Sequence, residues 1–164
     1  VEVFVKDAKA NGPIRPLITG IPARFQAFPA GGRFFVMTNY KAARNRIVEV
    51  DPAKPQPEYW REVIPEQRYV MDGFAAVGGR LLVLALEDVK SKLLAYLPSG
   101  KLERELPLPA IGSVSSLSGE WGNPEFFYSF TSFHIPQSIY RADLQAKTQS
   151  VWNQIGRASC RERV

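Results

Sequence analysis

Cysteine is almost missing from this chain: Cys160 is the only one, and it falls within the last ten residues. A lone thiol builds no disulfide framework, and the chain ahead of the tail has no thiol nucleophile. Histidine is equally scarce. His134 stands alone in Thr131-Ser132-Phe133-His134-Ile135-Pro136, without the second His, the Cys or the carboxylate cluster that a zinc site requires. A catalytic imidazole would need a paired nucleophile, so His134 reads as a turn residue. There is no phosphate-cradling Gly loop, no G-x-S-x-G elbow and no H-E-x-x-H. Ser99-Gly100 and Ser118-Gly119 lack the flanking pattern and suit turns. No apolar run reaches the ~18 residues that span a membrane, and no stretch carries a capped helical stripe. The expectation is therefore a chain with no catalytic residue, no cofactor-binding residue, no metal ligand, and neither a nucleic-acid nor a membrane partner.

Both ends read as cut. Ile155–Val164 (IGRASCRERV) is the codon-by-codon translation of ATC GGA AGA GCG TCG TGT AGG GAA AGA GTG, which looks like a short-read sequencing adapter. All its codons match in one frame. The alternative is a basic tail for nucleic acid or an acidic surface; the adapter reading excludes 155–164 from the fold as non-native. Losing Arg157, Arg161, Arg163 and Glu162 takes the 21 basic and 16 acidic residues to 18 and 15, and the net charge from +5 to +3. That surplus is an ordinary solvated surface. Val1-Glu2-Val3-Phe4-Val5 has no initiator Met and no leader pattern, and reads as an interior strand. The expected compartment is the cytoplasm, with the periplasm left open because the natural start is missing. Residues 1–154 are long enough for a single-domain core.

What the chain does have is an internal repeat. Ala30-Gly31-Gly32-Arg33-Phe34-Phe35-Val36-Met37 returns 47 residues later as Val77-Gly78-Gly79-Arg80-Leu81-Leu82-Val83-Leu84, and Trp121-Gly122-Asn123-Pro124-Glu125-Phe126-Phe127-Tyr128 is a third copy. A second landmark keeps step at 46 residues: Asn45–Asp51, Ser91–Leu97 and Gln137–Asp143. Each unit reads as four short strands: Arg24–Phe28, Arg33–Thr38, Arg46–Val50 and Tyr59–Ile64; then Gly73–Val77, Arg80–Leu86, Lys92–Leu97 and Lys101–Leu106; then Ser113–Ser118, Glu125–Phe130, Ser138–Asp143 and Thr148–Trp152. Val1–Lys6 and Ile14–Ile18 read as the last two strands of an earlier unit. Asn11-Gly12-Pro13, Gly31-Gly32, Gly78-Gly79 and Pro98-Ser99-Gly100 carry the turn chemistry between them.

Four strands per ~40–50 residues is the signature of a β-propeller blade. Neighbouring blades cover both faces, which accounts for Leu81–Leu86 being apolar throughout. An antiparallel sandwich with coincidental spacing is the alternative. The fold expected is all-β: a partial propeller of about three and a half blades. Phe126, Phe127, Tyr128, Phe130 and Phe133 read as core rather than a base-stacking platform. Trp60 and Trp152 are expected on outermost strands, covering blade edges. Glu87-Asp88 with Lys90 and Lys92 reads as a solvated loop with local ion pairs, the other reading being a contact between blades or domains. Innermost strands line the channel of a propeller, which places Arg24, Asp72, Ser113 and Ser115 there, facing either ligand or water.

Laid out in this way, the chain resembles the N-terminal propeller of the prolyl oligopeptidase family of serine peptidases. Phe127-Tyr128-Ser129-Phe130-Thr131-Ser132-Phe133, Pro136 and Ile139-Tyr140-Arg141-Ala142-Asp143-Leu144 are similar to the family segment F-Y-x-F-T-S-F…P…I-Y…D-L. Thr38-Asn39-Tyr40-Lys41-Ala42 with Arg46–Asp51 resembles its T-N…A-P…R-L…D stretch, with Ala43 where the family has Pro. Trp60–Glu66 and Gly112-Ser113-Val114…Ser118-Gly119 also match. The resemblance implies a seven-bladed propeller over an α/β-hydrolase domain whose Ser–Asp–His triad cleaves short peptides after proline, the propeller excluding folded proteins. The implied partners are a peptide substrate and that hydrolase domain, in intramolecular contact. The triad follows the propeller in the family, so Ser129 and His134 hold propeller positions, not catalytic ones. The basic-residue oligopeptidases, a non-enzymatic protein-binding propeller of the kelch or WD kind, and a metal- or cofactor-bearing propeller are the alternatives; the Phe-Thr-Ser-Phe segment favours the prolyl branch.

Overall fold

The computed structural model describes residues 2–7 and 9–154; the expected tail at 155–164 lies outside the described residues. The chain folds as successive antiparallel sheets. β1 (Val3–Val5) and β2 (Arg15–Ile18) form a two-stranded sheet. Three four-stranded sheets follow, each in sequence order from its innermost strand outward. The first holds β3 (Phe25–Ala30), β4 (Arg33–Thr38), β5 (Arg46–Val50) and β6 (Arg61–Ile64). The second holds β7 (Val70–Val77), β8 (Arg80–Glu87), β9 (Lys90–Tyr96) and β10 (Leu102–Leu106). The third holds β11 (Ser113–Gly119), β12 (Glu125–Thr131), β13 (Ser138–Asp143) and β14 (Thr148–Gln154). This is the blade layout of a partial β-propeller.

The ladders confirm the repeat at residue level. Phe34, Leu81 and Phe126 stand opposite Val50, Tyr96 and Ala142, the same pairing in each sheet. The second strand of each sheet works with both faces. Leu81, Val83 and Ala85 of β8 pack with Phe35, Ile47 and Ile64 of the first sheet. Leu82 and Leu84, between them, pack with Phe126, Tyr128 and Phe130 of the third. Period-two alternation sends neighbouring residues to opposite faces, and a blade between blades has an apolar partner on each. A third cluster, with Leu17, Ile18, Val36 and Val48, joins the two-stranded sheet to the first blade.

Several expectations need correcting. The outer strand of the first blade starts at Arg61, because Pro57–Tyr59 forms a 3-10 turn ahead of it. Trp60 therefore precedes that strand; its ring packs edge-on against Phe25 and Tyr40, and its Nε1–H donates to the Pro55 carbonyl at 2.8 Å. Trp152 does lie on the outermost β14, 61% exposed, with its ring against Phe127. Phe126, Tyr128 and Phe130 are buried and Phe127 is half-buried, but Phe133 is 97% exposed. It sits past the end of β12, on a turn that no neighbouring blade covers.

The third copy of the Gly-Gly landmark also departs from the first two. In those, two residues connect the strands, with Ala30 opposite Arg33 and Val77 opposite Arg80. In the third, Gly119 ends β11 and Glu125 begins β12, leaving a five-residue loop, 120–124. Pro124 and the Asn123 side chain, whose Oδ1 accepts from the Glu125 amide, shape that loop. It folds back over the other blades: the Glu120 and Trp121 carbonyls accept from the Gly78 and Gly79 amides at 3.0 and 2.9 Å. The Trp121 ring reaches Phe35 of the first blade, centroids 6.3 Å apart.

Candidate channel wall and docking face

The innermost strands β3, β7 and β11 run beside one another, β7 next to both others. Two of them carry a β-bulge at the same place. Met71 pairs with Ala85 and Gly73 with Leu84, so Asp72 is the extra residue; Val114 pairs with Phe130 and Ser116 with Ser129, so the extra residue is Ser115. A bulge re-aims its side chain out of the pleat, and Asp72 and Ser115 are both exposed. Ser113 is exposed at the start of β11. Arg24 is exposed just ahead of β3, its amide donating to Asn39 Oδ1 at 2.7 Å. The innermost strands thus present Asp72, Ser113 and Ser115 to solvent, and Arg24, expected on β3, is exposed just ahead of it. Gln26, Ser116 and Ser118 join the polar wall. Sequence reasoning passed over them, although their alternation with half-buried Phe25, Ala27 and Leu117 was a usable signal.

A second feature lies at the end of the blades that carries the loops between second and third strands and the connection from β10 to β11. Asp88 and Val89, with φ of 49° and 65°, turn β8 into β9. Val89 is 91% exposed, Ile111 74% and Phe133 97%. The Val89 loop and the Ile111 connection are bonded to each other. The Ser91 amide donates to the Gly112 carbonyl at 3.4 Å, and the Val114 amide to Ser91 Oγ at 3.1 Å. Gly112 lies so close to the third blade that a Cβ there would sit 2.3 Å from the Thr131 carbonyl. Only glycine permits that approach.

The Phe133 turn is fixed from within. Ser132 Oγ accepts from the His134 and Ile135 amides at 3.3 and 3.1 Å, and the Ile135 carbonyl accepts from the Ser132 amide and the Thr131 hydroxyl. His134 is exposed, its ring edge-on to Phe133. It is a turn residue beside an aromatic anchor. Ser129 is buried on β12, its hydroxyl bonded to Gln137 Nε2.

Beside Val89, the Glu87 carboxylate accepts from Lys92 Nζ at 2.6 Å and pairs with Arg68 at 2.7 Å. Lys92 chiefly, and Arg68, hold the Glu87 carboxyl below its usual range. All three side chains belong to the second blade and its approach, so the pairing is local. Among the described residues no three His, Cys, Asp or Glu side chains converge as a metal site would require. No helix among them is long and apolar enough to cross a membrane.

The arrangement can wall a channel and present an apolar face. Residues 1–155 match the family model described as prolyl oligopeptidase, N-terminal beta-propeller domain. The prolyl endopeptidase of Elizabethkingia miricola is 30% identical over 152 residues, covering 92% of this chain and 21% of that protein. That of Dictyostelium discoideum is 25% identical over 121 residues, covering 68% of this chain and 16% of the relative. A solved prolyl endopeptidase structure, from work on the role of inter-domain dynamics in catalysis and specificity, superposes with a TM-score of 0.81 at 32% identity, covering 93% of this chain and 23% of that one. Prolyl oligopeptidase B from Galerina marginata shares the fold, with a TM-score of 0.75 at 18% identity over 93% of this chain and 22% of its own. The chain spans about a fifth of the length of the curated relatives it matches.

Proposed function

Since the chain belongs to the prolyl oligopeptidase N-terminal β-propeller family, we propose that it is the gating part of a serine peptidase that cuts short peptides after proline. In this reading residues 1–154 are the native segment and 155–164 are not. The chemistry resides in a hydrolase domain elsewhere in the protein, and this chain contributes walls and contacts. The names of the relatives, prolyl endopeptidases, support the proline preference.

The observation that carries the reading is that three large apolar side chains, Val89, Ile111 and Phe133, stand exposed on loops at the same end of the second and third blades. Large side chains this exposed are costly to leave in water when clustered and mark contact surfaces. Phe133 on its self-bonded turn has the form of an aromatic anchor. Seating this face on the hydrolase domain puts the inner-strand wall, with Asp72 and Ser115, over the route by which peptides reach the catalytic serine. Only an extended, short chain passes such a channel.

The test is Phe133→Asp in the full-length protein. Burying a carboxylate where the ring docked weakens the interface, and kcat/KM for a short proline-containing peptide falls about tenfold or more. The propeller's own unfolding transition stays in place, because Phe133 contributes nothing to its core. Unchanged kcat/KM would place the docking face elsewhere.

A further inference from the structure

The outer rim between the second and third blades holds a cavity of about 260 Å³ that the gating role does not use. Its floor is apolar: Leu93 and Leu106 on one side, Phe126, Ala142 and the Tyr128 ring on the other. The Tyr128 hydroxyl donates to Gln149 Oε1 at 2.7 Å, and burial pushes that phenol up, so it remains a neutral donor.

The mouth carries charge. Arg104 lines it from β10 and Lys147 from the turn ahead of β14. The Arg104 Nη2 donates to the Leu144 carbonyl at 2.5 Å, while its Nε is buried with no hydrogen-bond partner. That nitrogen is closed to ligand as it is to water, so only the Nη end of the half-buried guanidinium can meet an occupant of the cavity. Carboxylates stand close by: Asp143 and Glu105 share the lining, and Glu103, paired with Arg80, also feels Arg104 and Lys147. Asp143 Oδ1 accepts from the Gln145 and Ala146 amides at 2.7 Å. Glu105, exposed on the rim, acts on the Lys92 ammonium.

We infer that this cavity binds a small monocarboxylate with an aromatic or branched aliphatic body, its carboxylate on Arg104 and its body over Leu93, Phe126 and Tyr128. The guanidinium fork matches a carboxylate in a planar, charge-assisted pair. Lys147 adds a second cationic donor at the mouth. A cavity of this size holds about one ring and a short tether.

The probe is 4-phenylbutyrate, with its neutral amide as control, titrated into the protein by calorimetry. The acid binds saturably at one site, and the amide binds about tenfold or more weakly, having lost the charge-assisted pair. Arg104→Met lowers acid affinity by a similar factor with the circular dichroism spectrum unchanged. Ala142→Leu, which fills the floor, abolishes binding. Equal affinity for acid and amide would overturn the assignment, as would full affinity in R104M or no saturable heat up to about 10 mM. Should R104M fail to fold, the acid–amide comparison on the unaltered protein decides.

Discussion

Gly31 and Trp121, one on the first blade and one on the third, meet so closely that a Cβ on Gly31 would lie 2.9 Å from the indole Nε1. The same indole lies near Phe35, and its loop accepts the second blade's Gly78 and Gly79 amides. One side chain and its loop thereby touch three consecutive blades.

Gly31→Ala meets two penalties, a left-handed backbone at φ 57° and the indole. Gly32→Ala meets only the first, at φ 74° with nothing within 4 Å. Urea unfolding should show Gly32→Ala costing about 1–2 kcal/mol and Gly31→Ala about 1 kcal/mol or more beyond that. Equal losses would mean that Trp121 yields freely and does not clasp the blades.

Acid stability should report Glu49. Its carboxylate takes two bonds from Arg33, at 2.7 and 2.6 Å, and further bonds from Arg61. The Arg33 pair chiefly, then Arg61, bring its pKa from 4.5 down to about 2. A depressed folded-state pKa contributes stability above the unfolded value and loses it as the pH falls through the folded one. The loss should therefore fall between pH 4.5 and about 2. It should amount to about 1 kcal/mol, since Arg61 is largely exposed and water screens its side of the pair. Glu49→Gln should remove that increment at neutral pH and flatten the acid limb over this window, as measured by denaturant midpoints against pH.

Val89 offers a case where stability and contact pull apart. Its φ of 65° is a left-handed conformation that a β-branched residue adopts at a cost. Val89→Gly should stabilise the chain by about 1 kcal/mol. In the full-length protein the same change removes an apolar contact and should lower kcat/KM for a short proline peptide. A rise in stability with activity untouched would leave the strained valine without a role in docking.

The blades were legible because burial on both faces forces long apolar strands at a fixed spacing, and Gly-Gly pairs mark where they reverse. Asn45–Asp51, Ser91–Leu97 and Gln137–Asp143 identified equivalent strands to the residue. The site was legible in part. Asp72 and Ser115 were placed on the inner wall, but the bulges that expose them leave no trace in composition, since a one-residue register slip is decided by the ladder partners. Phe133 was read as core because an aromatic in an aromatic run carries the same signal whether it ends in a strand or one residue past it. The Trp121 clasp was hidden for a related reason: Gly122 imitated the earlier Gly-Gly turns, whereas Asn123 and Pro124 build a longer loop.

Gating by the propeller is tested most directly by offering the full-length protein one proline cleavage site in two settings, a short peptide and an exposed loop of a folded domain, and comparing kcat/KM. The short peptide should be cleaved and the folded domain left intact, while the present chain by itself cleaves neither. Comparable cleavage of the folded domain, or turnover by this chain alone, would contradict the account.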